Sequence, residues 1–378
     1  MSKRRGNNEG SIYHRKDGLW CAQVSLEGRR LTKYAKSQKE CREWIKELLA
    51  KIDSGLTFEG TQLTLERYLE LWMSGKEISR RPRTVIQYRQ IAQTHILPLL
   101  GNIRIKDITP GHIKQLYSIK HDEGAGARTL QIIHAVLHVA LKQAVREGLL
   151  GRNPVDAVDR PKVERSEMQI LDEEQSRQFL IAASGSIFEA VFYLALTTGM
   201  RQGELLGLKW SDVDWEKGSL FIRRQLQQIE GKGYALMPPK TKAGRRRIKL
   251  GRAMMGQLEK HRRGQELAKA FAGARWQEND LIFPTTVGTP LDHKRVTKEF
   301  KDLLKKAGLP NIRFHDLRHT SISIQLEMGT PLNTVQHRSG HSRPSVTADV
   351  YAHVMQGSQN EAAEKIEELI VPIAVKLQ

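Results

Sequence analysis

The chain has 378 residues, 61 Lys and Arg against 42 Asp and Glu, a formal charge of +19 and 39% apolar side chains. That length holds two or three domains with a sizeable core, and that apolar content excludes a disordered chain. The charge calls for a polyanion, nucleic acid ahead of an anionic membrane, since no apolar run can span a bilayer and no apolar signal core follows the basic Met1–Arg5.

Cys21 and Cys41 are the only cysteines. They fit a reducing compartment and offer no disulfide framework, and no HExxH or paired-cysteine pattern suggests zinc.

Residues 1–58 form a first segment. Turn signals at Asp17-Gly18 and Glu27-Gly28 separate short runs, and Trp20, Ala22, Val24 and Leu26 alternate with Cys21, Gln23 and Ser25. This predicts a small antiparallel sheet, followed by a helix with Trp44, Leu48 and Leu49 on one side. Arg15, Lys16, Arg29, Arg30 and Lys33 crowd the sheet, either as a solvated basic face or as a ribbon that reads DNA.

Residues 62–158 read as helical. Leu65, Tyr68, Leu69 and Trp72 follow helical spacing behind Thr64 as cap, and Leu130, Ile133, Leu137, Leu141 and Ala144 repeat the pattern. His134 and His138 on the last helix are structural, because nothing nearby completes a metal site. Arg80, Arg81 and Arg83 precede a helix starting near Thr84 and are candidates for phosphate contacts. The stretch GLLGRNPVDAVDRPKVERSE, residues 148–167, is rich in Pro, Gly and charge and reads as a linker.

Residues 165–378 hold the chemistry. A helix opens behind Asp172, with Gln175 three residues on to complete a capping box. In TTGMRQGELLGLKW, an apolar helix stops at Gly199 and Arg201 stands at the next helix start, where anions bind, with Glu204 one turn on to orient its guanidinium. LFIRRQLQQI and RRRIKL read as two strands, and the KTKAGR between them as a hairpin tip carrying Lys240, Lys242 and Arg245. In FHDLRHT, His315 and Arg318 share a helical face, Asp316 points elsewhere, and the following SISIQL buries the other side. In SGHSRPSVTADVYAHV, Gly340 turns the chain to present His341, and Tyr351 follows on a helix that starts at Pro344. Each stretch alone has an ordinary structural reading. Together they make a cationic pocket with no carboxylate among the groups that would meet the ligand, suited to one phosphodiester: arginine forks bind its oxygens, histidine moves protons near neutral pH, and a phenol can attack phosphorus. No acidic cluster is present to hold magnesium.

The order Arg201, Lys240, His315-x-x-Arg318, His341, Tyr351 resembles the tyrosine recombinases of the phage integrase type, especially integrases of prophages and integrative conjugative elements. The resemblance runs over nearly the whole chain. It departs at Ser339, where the family often has Leu before the Gly-His pair. Lys240 matches the family's hairpin lysine as the Lys of a Lys-Thr pair, with Lys242 as the alternative. His319 matches no catalytic position.

The resemblance implies a multidomain, mainly α fold with small β-sheets. Residues 1–58 would be an arm-type DNA-binding domain of sheet plus helix, 62–158 an α-helical, SAM-like core-binding domain, and 165–378 an α+β catalytic domain with a C-terminal exchange helix. It implies a site-specific recombinase that integrates and excises a mobile element through a 3′-phosphotyrosyl intermediate, without metal, ATP or other cofactor. The implied partners are double-stranded DNA attachment sites, three further copies in a homotetramer, and an excisionase or host DNA-bending protein. The implied setting is the cytoplasm, at the nucleoid of a bacterial host. A type IB topoisomerase or telomere resolvase is the nearest alternative, and a non-enzymatic DNA-binding regulator is the second. The acidic tail NEAAEKIEELIVPIAVKLQ carries a stripe of Ile366, Leu369, Ile370 and Ile373 and is the segment expected to exchange between protomers.

Overall fold

The computed structural model describes residues 10–342, apart from 27–28, 54–61, 80–81, 164–167, 230, 232 and 240, and also residue 366. The chain divides into two compact units, residues 1–165 and 166–378.

In the first unit, strands β1 (Ser11–His14), β2 (Trp20–Leu26) and β3 (Arg29–Ala35) form an antiparallel sheet in that order. Gly18, at φ +83°, makes the first turn, a conformation that costs glycine nothing. Helix α1 (Gln38–Asp53) covers one face, where Ala22, Val24 and Ala35 pack on Cys41 and Ile45. Strict alternation would expose Cys21, yet it is fully buried. It pairs across the sheet with Tyr13 on one side and Tyr34 on the other, both about half exposed. The Arg15 guanidinium lies 4.8 Å from the centre of the Tyr34 ring and 3.0 Å from Asp17. Lys16, Arg30 and Lys33 are exposed on the same small sheet, while the side chains of Leu48, Leu49 and Arg29 lie outside the described part.

A separate helical core follows. Helix α2 (Leu65–Ser79) starts where the Arg67 amide donates to Thr64 Oγ1 over 3.4 Å. Helix α3 (Pro82–Ile91) continues through a wide turn, Ala92–Ile96, into α4 (Leu97–Leu100). Helices α5 (Pro110–Asp122) and α6 (Ala127–Arg146) complete the set. The buried stripe Leu130, Ile133, Leu137, Leu141 and Ala144 of α6 packs with Leu65, Tyr68, Leu69 and Trp72 of α2. His134 Nδ1 lies 2.9 Å from the Tyr117 hydroxyl and His138 Nε2 3.0 Å from Asp156, so both histidines serve structure. Part of the expected linker is folded: Leu150, Val155 and Val158 are buried in this core. They follow no period because the short turn Pro154–Ala157 wraps a helix rather than extending one.

The second unit begins with α7 (Glu173–Ala183), capped reciprocally by Asp172 and Gln175, and α8 (Glu189–Thr198). Next come α9 (Gln202–Leu206), β4 (Val213–Asp214), β5 (Ser219–Ile222), β6 (Gln225–Ile229), β7 (Gly233–Met237) and β8 (Arg246–Lys249). Helices α10 (Arg252–Ala272), α11 (His293–Lys306), α12 (Asp316–Glu327) and α13 (Leu332–Ser339) follow. Phe179, Phe192, Phe300 and Phe314, each within 6.3 Å of another ring in the group, lie in the core that these elements share.

One expectation for this unit fails. The run LFIRRQLQQI is two strands, not one. Arg224 turns aside to bond Asp212 over 2.6 Å, and the strand is interrupted there. β5 pairs with β8 in one sheet and β6 pairs with β7 in another, so KTKAGR connects two sheets and is not the tip of a hairpin.

Candidate active site

The site is built where α8 ends. Gly199 caps that helix at φ +64°, and a Cβ there would stand 3.3 Å from Ser321 Oγ. This left-handed turn needs no side chain, and it aims the Gly199 carbonyl at α12. Arg318, buried in the first turn of α12, donates to that carbonyl over 2.6 Å. Two residues after Gly199 the chain enters α9 with Arg201 as its first flanking residue, its side chain 38% exposed. One arginine thus grips the loop that carries the other.

Behind Arg201 lies a buried carboxylate. Glu204 receives the Arg201 guanidinium at 2.9 Å and the Arg201 amide at 3.1 Å. It also receives Arg246 of β8 at 3.0 Å. Burial alone would raise its pKa; Arg246 first and then Arg201 overcome this and hold it below the ordinary value. Both oxygens of the carboxylate are committed to arginine, and Glu204 orients Arg201 as its spacing suggested.

His315 is the residue flanking the start of α12, and its ring meets His319 edge-on at 5.3 Å. Its pKa is pushed down to about 4, first by burial, then by His319, Arg318 and Arg201. His341 follows Gly340, which ends α13 at φ +70°. Its pKa falls to about 3 through burial, Arg318 and Arg201 in that order, with smaller parts from His319 and Arg246. The fields of Arg201 and Arg318 therefore reach both histidines, and both imidazoles are neutral at pH 7. Asp316, by contrast, turns away and binds Arg313 over 2.8 Å.

Arg201, Arg246 and Arg318 against the single carboxylate of Glu204 leave an excess of two positive charges. Such a site favours an anion, and most of all one whose charge grows during reaction. Among the described residues, no three His, Cys, Asp or Glu side chains gather as a metal ligand set.

The other candidates divide. Lys242 and Arg245 are exposed on either side of the short turn Lys242–Gly244, and Arg83 is exposed at the start of α3. Lys240, Tyr351, Arg80 and Arg81, with the rest of the tail except Ile366, lie outside the described residues. Arg246 was not anticipated. Its signal was the strand alternation, which puts it on the same face as the buried Ile248.

Residues 169–357 match the model of the Phage integrase family, and residues 64–121 that of the Phage integrase N-terminal SAM-like domain. A protein named Tyrosine recombinase XerC-like, of Caldanaerobacter subterraneus subsp. tengcongensis, is 31% identical over 358 residues, covering 89% of this chain and 91% of that protein. Among solved structures, the Tn1549 transposon integrase in complex with a circular intermediate DNA aligns with TM-score 0.69 at 20% identity, over 81% of this chain and 99% of that one. A lambda integrase tetramer bound to a Holliday junction aligns with TM-score 0.57 at 22% identity, over 91% of this chain and 98% of that one.

Proposed function

Because this chain belongs to the phage integrase family of tyrosine recombinases, site-specific enzymes that move mobile elements into and out of DNA, we propose that its reaction runs through Tyr351 at the cluster of Arg201, Arg318, His315 and His341. The Tyr351 Oη attacks a scissile phosphorus and forms a P–O bond. The P–O5′ bond breaks, and the departing oxygen leaves as a 5′-hydroxyl after taking a proton. The DNA 3′ end then remains on the enzyme as a phosphotyrosyl ester. Attack by a 5′-hydroxyl from a partner strand reverses these events and reseals the chain with no energy input, since one phosphoester replaces another.

The observation that carries this reading is the excess of two positive charges around neutral imidazoles. Arg201 and Arg318 neutralise the charge that grows on the nonbridging oxygens. His341, neutral, donates a hydrogen bond to one of them. His315, also neutral, is placed to take or relay a proton as general acid or base. Lys240 protonates the leaving 5′-oxygen, with Lys242 as the alternative. The exposed Arg15, Lys16, Arg30 and Arg83, with Arg29, Arg80, Arg81, Lys242 and Arg245, hold the duplex through its phosphates.

The integrases whose solved structures resemble this fold are bound to DNA, one as a tetramer on a four-way junction. By that likeness this chain acts as a tetramer on two attachment sites, its acidic tail passing between protomers, aided by an excisionase or a DNA-bending protein in the cytoplasm of its host. Residues 1–58, 62–158 and 165–378 would serve as the arm-binding, core-binding and catalytic domains.

The test is a Tyr351→Phe variant on a duplex nicked beside the scissile phosphate. It binds the duplex as the unaltered chain does and forms no adduct that survives a denaturing gel. A surviving adduct refutes the assignment.

A further inference from the structure

Arg246 has a side chain only 1% exposed, and a buried guanidinium is costly unless its donors are placed. Each group of donors goes to a different part of the chain. Nε donates to the Arg338 carbonyl over 2.6 Å, in the last turn of α13. Nη1 donates to the Gly244 carbonyl over 3.1 Å, in the connection that carries Lys240 and Lys242. Nη2 donates to Glu204 over 3.0 Å, and Glu204 in turn holds Arg201. Gly340 also packs on this group, with no room for a side chain. A Cβ at Gly340 would stand 2.7 Å from Arg246 Nη1 and 2.9 Å from its Cζ, so the backbone that presents His341 lies against the guanidinium.

Building on the functional reading above, we propose that Arg246 is a positioning residue for strand cleavage. One planar group sets the spacing of the three segments that bear Arg201, the lysine and His341. It acts through those residues and does not touch the scissile phosphate. Only arginine meets this need. Its fork offers rigid donors in three directions, whereas a lysine ammonium on a flexible stem cannot hold three carbonyl and carboxylate groups at fixed separations. The same geometry explains why β8, an edge strand of its sheet, carries a charge on its buried face.

The experiment uses the full-length chain with Arg246→Lys and Arg246→Gln. Arg246→Lys keeps a positive charge beside Glu204 and so guards against simple misfolding. Three quantities are read: affinity for the attachment-site duplex, the first-order rate of adduct formation on a nicked duplex at saturating protein, and the melting temperature. The expected result is binding within about twofold of the unaltered chain and adduct formation slowed by roughly 10- to 100-fold in Arg246→Lys, more in Arg246→Gln. The loss is also non-additive: joined to His341→Ala, either variant slows cleavage by much less than the product of the separate effects. The assignment is overturned if folded Arg246→Lys cleaves like the unaltered chain, if slowing follows affinity, or if the effects multiply. The unaltered chain and Tyr351→Phe on the same gel report the functional reading separately.

Discussion

Removing the Glu204 carboxylate tests the framework behind the site. Glu204 is 2% exposed and stands between Arg201 at 2.9 Å and Arg246 at 3.0 Å. Glu204→Leu leaves Arg246 charged, buried and without its carboxylate. Breaking a buried pair by deleting one partner costs about 3–5 kcal/mol. Amide exchange governed by opening of this unit should then quicken by a factor between roughly 100 and several thousand, since about 1.4 kcal/mol is tenfold. Hydrogen exchange read by mass spectrometry on peptides covering β5 and β8 measures it. The double variant Glu204→Leu, Arg246→Met removes both charges and should recover most of the lost protection, because an apolar pair of similar volume replaces a buried ion pair at little cost. It should not recover strand cleavage. If Glu204→Leu quickens exchange less than tenfold, the carboxylate is not the anchor described here. If the double variant restores cleavage together with protection, the charges do not position the site.

Three more outcomes follow from the same structure. His315 and His341, at about 4 and about 3, lie below the unfolded value of about 6.5. Between about pH 3 and about pH 6.5 the unfolded chain therefore binds more protons at these two rings, so their contribution makes stability rise with pH across that window and not above it. Replacing both rings with Gln makes a plot of urea midpoint against pH less steep in that window, and an unchanged slope contradicts the assignment. A duplex with sulfur in place of the 5′-bridging oxygen has a leaving group that needs no proton. It restores cleavage to Lys240→Ala and leaves Lys242→Ala as it was, and the reverse pattern makes Lys242 the proton donor. Deleting residues 360–378 weakens assembly on paired sites more than binding to one site in gel-shift titrations; equal losses argue against tail exchange.

Where one residue's local chemistry decided the structure, the sequence was readable. Gly199 and Gly340 end helices because left-handed backbone admits them, and both stops are legible in the sequence beside the functional residue each presents. Asp172 and Gln175 cap α7 by a pattern visible in five letters. Arg201 and Glu204 sit one turn apart, so their pairing followed from spacing alone. What escaped depended on neighbours remote in the chain. The break at Arg224 is set by Asp212, twelve residues earlier, and nothing in LFIRRQLQQI marks it. Cys21, buried against the alternation, stands between tyrosines on two other strands. Val155 and Val158 reach the helical core from a stretch whose composition reads as linker. The role of Arg246 needs the α13 end and α9 brought together with β8, although alternation in RRRIKL already pointed its side chain inward.

The account centres on a phenol displacing a DNA 5′-oxygen at a cationic site. The most direct measurement incubates the full-length chain, in excess chelator, with a nicked duplex from the ends of its own element, digests the product and maps the nucleotide-bearing peptide. The account predicts one modified residue, Tyr351, joined to a 3′-phosphate, in undiminished yield. Attachment at another residue, attachment through a 5′-phosphate, or loss of product with chelator would contradict it.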